Sequence, residues 1–166
     1  MHCPVCGFEN LTGAEVCDNC GADLASTGIP QPTTSFHGRL LGEHLDDLGA
    51  PPPLTVDPAT PVDVAIARMH EAEVDCVLVT VDDRLVGIFT DRDAVVKAAG
   101  KHLEAFHVRD FMTPDPVVLR YDDPIALAIH KMAVGGFRHI PLVRDGHPTG
   151  VVTARDVFRH LAQVLD

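Results

Sequence analysis

The chain has 166 residues, 46% of them hydrophobic, and a formal net charge of −11. That length suits one domain with a small appendage, and the apolar fraction supports a packed core rather than disorder. The acidic balance opposes binding to a polyanion, the lack of Trp and the single Tyr leave few stacking platforms, and no apolar run reaches the roughly 18 residues of a membrane span. With no basic leader ahead of an apolar stretch, the expected setting is soluble and cytoplasmic, away from membranes.

The first element is CPVCGFENLTGAEVCDNCGADL, residues 3–24, in which Cys3, Cys6, Cys17 and Cys20 form two CxxC pairs separated by ten residues. Each pair is followed by a glycine, Gly7 and Gly21, which tolerates the positive φ of a tight knuckle. Two such knuckles converge four thiolates on one ion, a closed tetrahedral set with no position left for catalysis. The stretch resembles the short zinc-ribbon modules at the ends of many prokaryotic proteins, with Val16 where those modules often carry an aromatic. The expected ion is Zn2+ in a structural or docking role. Iron is the alternative, because four thiolates do not choose between the metals, and it would make the chain a rubredoxin-like redox protein. Phe8 is the only aromatic offered to wrap such an iron. Nucleic-acid binding by the ribbon is disfavoured, since the first Lys or Arg of the chain is Arg39 while Glu9, Glu15, Asp18 and Asp23 lie in the ribbon.

Residues 1–25 are read as the ribbon and 26–42 as a linker, on the Ser, Thr, Pro and Gly content of ASTGIPQPTTS. Beyond it a strand is expected at Leu54-Thr55-Val56. A helix follows with Thr60 as cap and Pro61 in its first turn, burying Val62, Ile66 and Met69. An apolar run from Val74 to Val81 reads as a strand covered on both faces. Asp82-Asp83 turns the chain into a strand at Leu85–Phe89, and Thr90-Asp91 opens a helix towards Ala99.

The same order then recurs 63 residues later: strand Val117–Leu119, helix from Pro124 through Met132 with a Gly135-Gly136 stop, and strand His139–Val143. An Asp145-Gly146 turn, strand Thr149–Val152 and helix Arg155–Val164 complete the copy. The register aligns Pro53 with Pro116, Met69 with Met132, Asp82 with Asp145, and GIFTDRDA (Gly87 to Ala94) with GVVTARDV (Gly150 to Val157).

The paired Gly-x-x-Thr-x-x-Asp signatures, FMTPDPVVL (Phe111 to Leu119) and FRHIPLV (Phe137 to Val143) resemble a tandem pair of cystathionine-β-synthase (CBS) domains, often called a Bateman module. The resemblance implies an α/β (α+β) fold of two β-α-β-β-α repeats, 43–107 and 108–166, related by a pseudo-twofold axis and frequently assembled as a homodimer. It further implies a regulatory module that is not an enzyme, binds an adenine nucleotide (AMP, ADP or ATP) in the cleft between repeats and acts on a protein partner in trans.

The signature suits such a ligand. A carboxylate accepts from both ribose hydroxyls, and the hydroxyl and free N–H groups of a helix start face a phosphate. Candidate residues are therefore Thr90 with Asp93 and Thr153 with Asp156, although Thr-x-x-Asp is also an ordinary helix cap. Arg138 and His139 are phosphate candidates by the resemblance. Arg155, and Arg92 before it, are further ones whose plainer role is surface ion pairing. In the first repeat Asp75 and Cys76 replace Arg138 and His139, so one strong and one weak or empty site are expected.

Overall fold

A computed structural model of the chain describes residues 3, 6–11, 14, 16–21, 42–98 and 100–165. It divides into two compact units, Met1–Arg39 and Leu40–Asp166. The expected linker, 26–42, lies outside the described residues except for Gly42.

In the smaller unit the two knuckles close alike. The Gly7 amide donates to the Cys3 carbonyl and the Gly21 amide to the Cys17 carbonyl, each at 2.9 Å. Both glycines sit at positive φ, 73° and 72°, a region that costs a residue with a Cβ and not glycine. Asn10 is buried beneath them.

The larger unit opens with a 3-10 turn, Leu45–Leu48, followed by β1 (Thr55–Val56), α1 (Val62–Glu71), β2 (Cys76–Val81) and β3 (Arg84–Thr90). A short α2 (Asp91–Asp93) runs directly into a π-helical turn, Ala94–Ala98. After β4 (Thr113–Pro114) come α3 (Ile125–Gly135), β5 (His139–Arg144), β6 (His147–Thr153) and α4 (Ala154–Leu165). One sheet has the order β1-β2-β3-β4, with β1 parallel to β2 and the other pairings antiparallel; β5 and β6 form a second. Among the described residues no helix is long and apolar enough to cross a membrane.

The repeat seen in the sequence is a repeat of backbone geometry. Both hairpins turn through residues with positive φ, Asp82-Asp83 and Asp145-Gly146, and both slip register once, between Val79 and Thr80 and between Leu142 and Val143. The strand expected at Val117–Leu119 reduces to one parallel bridge, Leu119 to Leu142. In the first repeat the Leu78 amide donates to the Leu54 carbonyl at 2.9 Å. The matching donor in the second repeat would be Pro141, which has no N–H, so the ladder loses a rung. A similar substitution occurs where the hairpins meet. The Leu85 amide donates to the Gly146 carbonyl (3.1 Å), but its counterpart Pro148 cannot reciprocate, and His147 Nδ1 bonds the Asp83 carbonyl instead at 2.9 Å.

Segments distant in the chain cap α1 and α3. Pro61, not Thr60, is the cap residue of α1, and the Val62 amide donates to the carbonyl of Phe106 (3.0 Å), from the segment leading into the second repeat. Likewise, the Ile125 amide of α3 donates to the Glu43 carbonyl (3.0 Å), at the start of the first repeat. A proline cap has no side-chain oxygen for the free helix amides, so the crossing chain supplies the acceptor. This crossing brings β4 of the second repeat onto β3 of the first, with Gly87 opposite Pro114 and Ile88 opposite Thr113.

The first core uses Val62 and Met69 as expected, with Ala65 buried and Ile66 only partly so. Val62, Ala65 and Met69 of α1 pack with Val77, Val79 and Phe89, while Ile125, Ala128, Ile140, Leu142 and Val152 are buried in the second repeat. Cys76, Leu78 and Ile88 form a separate buried cluster against Leu85 and Val151, joining the two sheets.

Candidate nucleotide cleft and metal centre

Both signature pairs form reciprocal helix caps. Asp93 Oδ2 accepts from the Thr90 amide (3.0 Å) and the Thr90 hydroxyl (2.8 Å), while the Asp93 amide donates back to Thr90 Oγ1 at 3.3 Å. Asp156 and Thr153 repeat this at 3.0, 2.6 and 3.1 Å. Asp93 is buried, and its second oxygen lies 2.7 Å from Lys97 Nζ, which also donates to the Phe111 carbonyl at 2.8 Å.

These contacts revise two expectations. A carboxylate has about four lone-pair directions. Two on Oδ2 are taken by Thr90 and one on Oδ1 by Lys97, so both hydroxyls of a ribose can be accepted together only if a present contact yields. The helix start is also not an open phosphate site. The Asp91 amide donates to the Asp75 carbonyl (2.9 Å), the Arg92 amide to Asp91 Oδ1 (2.7 Å) and the Asp93 amide to Thr90, whose own hydrogen is committed to Asp93. Phosphate donors must therefore come from side chains.

Such side chains border a cleft of about 300 Å³ between the first signature and the segment entering β5. Thr90, Arg92 and Asp93 line one side, Arg138 and His139 the other, and Pro116 and Val117 add apolar wall beyond β4. Arg138 is exposed and His139 half-buried. Burial holds the His139 imidazole below its ordinary 6.5, against the pull of Asp91 and Asp75, and Arg138 adds to the lowering. Thr153, Arg155 and Asp156 do not border this cleft. Arg155 Nη2 instead lies 3.7 Å from Asp75 Oδ2, and Arg159 Nη1 lies 3.5 Å from Asp156 Oδ1. Cys76 is a core residue, its thiol pushed up to about 12 by burial, with Asp75 and Asp91 adding to the effect. A more open groove of about 730 Å³, bordered by Asp46, Tyr121 and Arg144, contains no signature residue.

In the smaller unit the four sulfurs of Cys3, Cys6, Cys17 and Cys20 all lie within 4.8 Å of one another. Cys3 to Cys20 and Cys6 to Cys17 are each 3.7 Å apart. A tetrahedral ion with metal–sulfur bonds of about 2.3 Å requires sulfurs about 3.8 Å apart, which these two pairs match, so the donor set suits a four-thiolate metal. Asn10 Nδ2 donates to Cys17 Sγ and Asn19 Nδ2 to Cys6 Sγ, both at 3.5 Å. Burial would raise the Cys17 thiol, but the Cys20 and Asn19 amides, with Asn10, outweigh it and bring it to about 6. Cys6 is lowered by Asn19 and by the Phe8 amide. At Cys6 and Cys17 the thiolate, the form a metal binds, is thus stabilised by the protein itself.

Lys97, Asn10 and Asn19 are site residues that the motifs do not announce. Lys97 stands four residues after Asp93, legible as a helical ion pair, but its reach to Phe111 depends on the crossing of the repeats. Asn10 lies between the CxxC pairs, and its packing under Cys17 has no spacing signal.

The fold and these sites define a tandem CBS pair joined to a cluster of four cysteines that could hold a metal ion. A family model for the CBS domain matches residues 45–100 and 108–163, and the chain belongs to the CBS-domain family. It is 40% identical over 115 residues to CBSCBSPB5 of Arabidopsis thaliana, covering 68% of this chain and 20% of that protein. Over 105 residues it is 35% identical to inosine-5'-monophosphate dehydrogenase of Thermoplasma acidophilum, covering 63% of this chain and 21% of the enzyme. The chain spans about a fifth of the length of these curated relatives. Among solved structures, CBSX2 in complex with AMP superimposes with a TM-score of 0.64 at 29% identity, covering 75% of this chain and all of that one.

Proposed function

We propose that the chain is a regulatory module that binds an adenine nucleotide (AMP, ADP or ATP) in the cleft beside Thr90 and Asp93. The observation that carries this reading is the convergence of a buried ribose-type carboxylate, Asp93, with two guanidiniums, Arg92 and Arg138, that have no carboxylate partner among the described residues. Guanidinium forks supply the phosphate donors that the capped helix start cannot. His139 is a third donor through its ring N–H, and gains a second N–H and a positive charge when protonated. Ile88, Pro116 and Val117 offer apolar surface to a purine. The AMP bound by CBSX2 is the same class of ligand.

The four-cysteine unit holds a structural zinc and serves as a docking tag. Phe8, Leu11 and Val16 are exposed on it, and a partner protein acting in trans would cover them. Ligand binding shifts the balance between two packings of the repeats, in a module that works in the cytoplasm as a homodimer, and the partner reads the shift. Iron at the same four sulfurs is the competing reading, since the geometry fits both ions; a colourless protein with one zinc per chain removes it.

The test is thermal denaturation of metal-loaded protein with AMP, ADP, ATP and S-adenosylmethionine in turn. Ligand at a hundred times its Kd adds about 2.7 kcal/mol. At least one adenine nucleotide should raise Tm by several degrees, and unmoved curves with all four ligands would overturn the reading.

A further inference from the structure

The repeat places Arg155 where the first signature has Arg92, and Asp75 where the second strand entry has Arg138, each 63 residues away. Around Thr90 and Asp93 this position pair is therefore two arginines, and among the described residues neither has a carboxylate within ion-pair distance. Around Thr153 and Asp156 it is Arg155 and Asp75 in contact at 3.7 Å.

We infer that Asp75 is a built-in surrogate for a ligand phosphate: it occupies Arg155 and restricts the chain to one phosphorylated nucleotide, held at the Thr90–Asp93 cleft. The inference rests on the nucleotide reading above and names the residue that sets its stoichiometry.

The ion pair is weak. Both side chains are largely exposed, 75% for Arg155 and 50% for Asp75, and such pairs add little to stability. What matters is sign. A phosphate approaching Thr153 and Asp156 must take Arg155 from Asp75 and then lie beside the carboxylate it displaced. At the other cleft the same phosphate meets two guanidiniums and breaks no ion pair. That cleft has acids of its own, Asp91 and Asp115, but Asp91 is turned onto the Arg92 amide at 2.7 Å.

The backbone frames are alike, so the residue can be exchanged. The Asp75 carbonyl accepts from the Asp91 amide, and the Arg138 carbonyl from the Ala154 amide, both at 2.9 Å. An arginine at position 75 therefore enters a setting that its counterpart already occupies.

The experiment is calorimetric titration of AMP into the metal-loaded full chain, comparing wild type with Asp75→Arg and Asp75→Asn. One equivalent per chain is expected for wild type and two for Asp75→Arg, the second within about tenfold of the first in affinity. Asp75→Asn, which only releases Arg155, should bind a second equivalent more weakly and serves if the arginine variant does not fold. Two equivalents in wild type, or one in both variants, would overturn the inference. No binding by any of the three would instead overturn the nucleotide reading, and the inference with it.

Discussion

Lys97 Nζ lies 2.7 Å from Asp93 Oδ1 and 2.8 Å from the Phe111 carbonyl, so one ammonium joins the candidate ribose carboxylate to the segment that becomes β4. Its counterpart in the second repeat, His160, turns away from Asp156 and bonds Glu43 Oε2 at 2.8 Å. The two carboxylates are capped alike and differ in what holds their second oxygen.

Replacing Lys97 with Met should therefore separate stability from binding. Lys97 is 42% exposed, so losing its ion pair and its bond to Phe111 should cost only about 1 kcal/mol in urea denaturation. The substitution also frees an acceptor direction on Asp93, and AMP affinity should not fall. A large loss of affinity with unchanged stability would mean that Lys97 touches the ligand itself.

The signature glycines make room for the crossing chain. A Cβ at Gly87 would lie 2.5 Å from Met112 Sδ and 3.2 Å from the Thr113 carbonyl. At Gly150 it would meet the Tyr121 hydroxyl at 2.6 Å and Ala50 Cβ at 3.3 Å. Both Gly→Ala variants should lose about 1–3 kcal/mol in urea denaturation. Gly150→Ala should lose more, because Tyr121 must give up its 2.8 Å bond to the Thr149 carbonyl, whereas the Met112 thioether can swing aside.

His139 gives the ligand-free chain a pH dependence of known sign. Its folded value lies below the ordinary 6.5, so below that pH the unfolded chain takes up the proton more readily. The contribution is whole above pH 6.5 and is lost as pH falls through the folded value. Between pH 7.5 and 5.5 wild-type Tm should fall more than that of His139→Gln; parallel curves would contradict this.

Metal removal should act locally. A strong chelator, or Cys17→Ser, should abolish stoichiometric zinc by elemental analysis and expose the amides of the smaller unit to hydrogen exchange. Protection in β2, β3, β5 and β6 should stay unchanged, because their cores lie wholly within Leu40–Asp166. Loss of protection in those strands would show that the metal supports the CBS pair.

Much of this molecule is legible in the sequence alone. Two apolar runs with Asp-rich turns became hairpins, because positive φ at Asp82, Asp83 and Asp145 and the flanking apolar strands speak locally. The Gly135-Gly136 stop was readable for the same reason, with Gly136 left-handed at φ 67°. What escaped depends on contacts between distant segments. Thr60 reads as a cap by composition, yet the Phe106 carbonyl does that work from 44 residues ahead of Val62. Strand Val117–Leu119 failed at Pro141, a residue of its partner strand. The four cysteines were announced by spacing, whereas Asn10 was not, and the choice between the clefts turned on the Asp75–Arg155 contact between repeats.

The most direct test of the central claim is a crystal structure of the zinc-loaded chain grown with AMP. One nucleotide per chain is expected, with its phosphate between Arg92 and Arg138 and a ribose hydroxyl on Asp93. Density for AMP beside Thr153 and Asp156 instead, or a cleft left empty at saturating AMP, would contradict it.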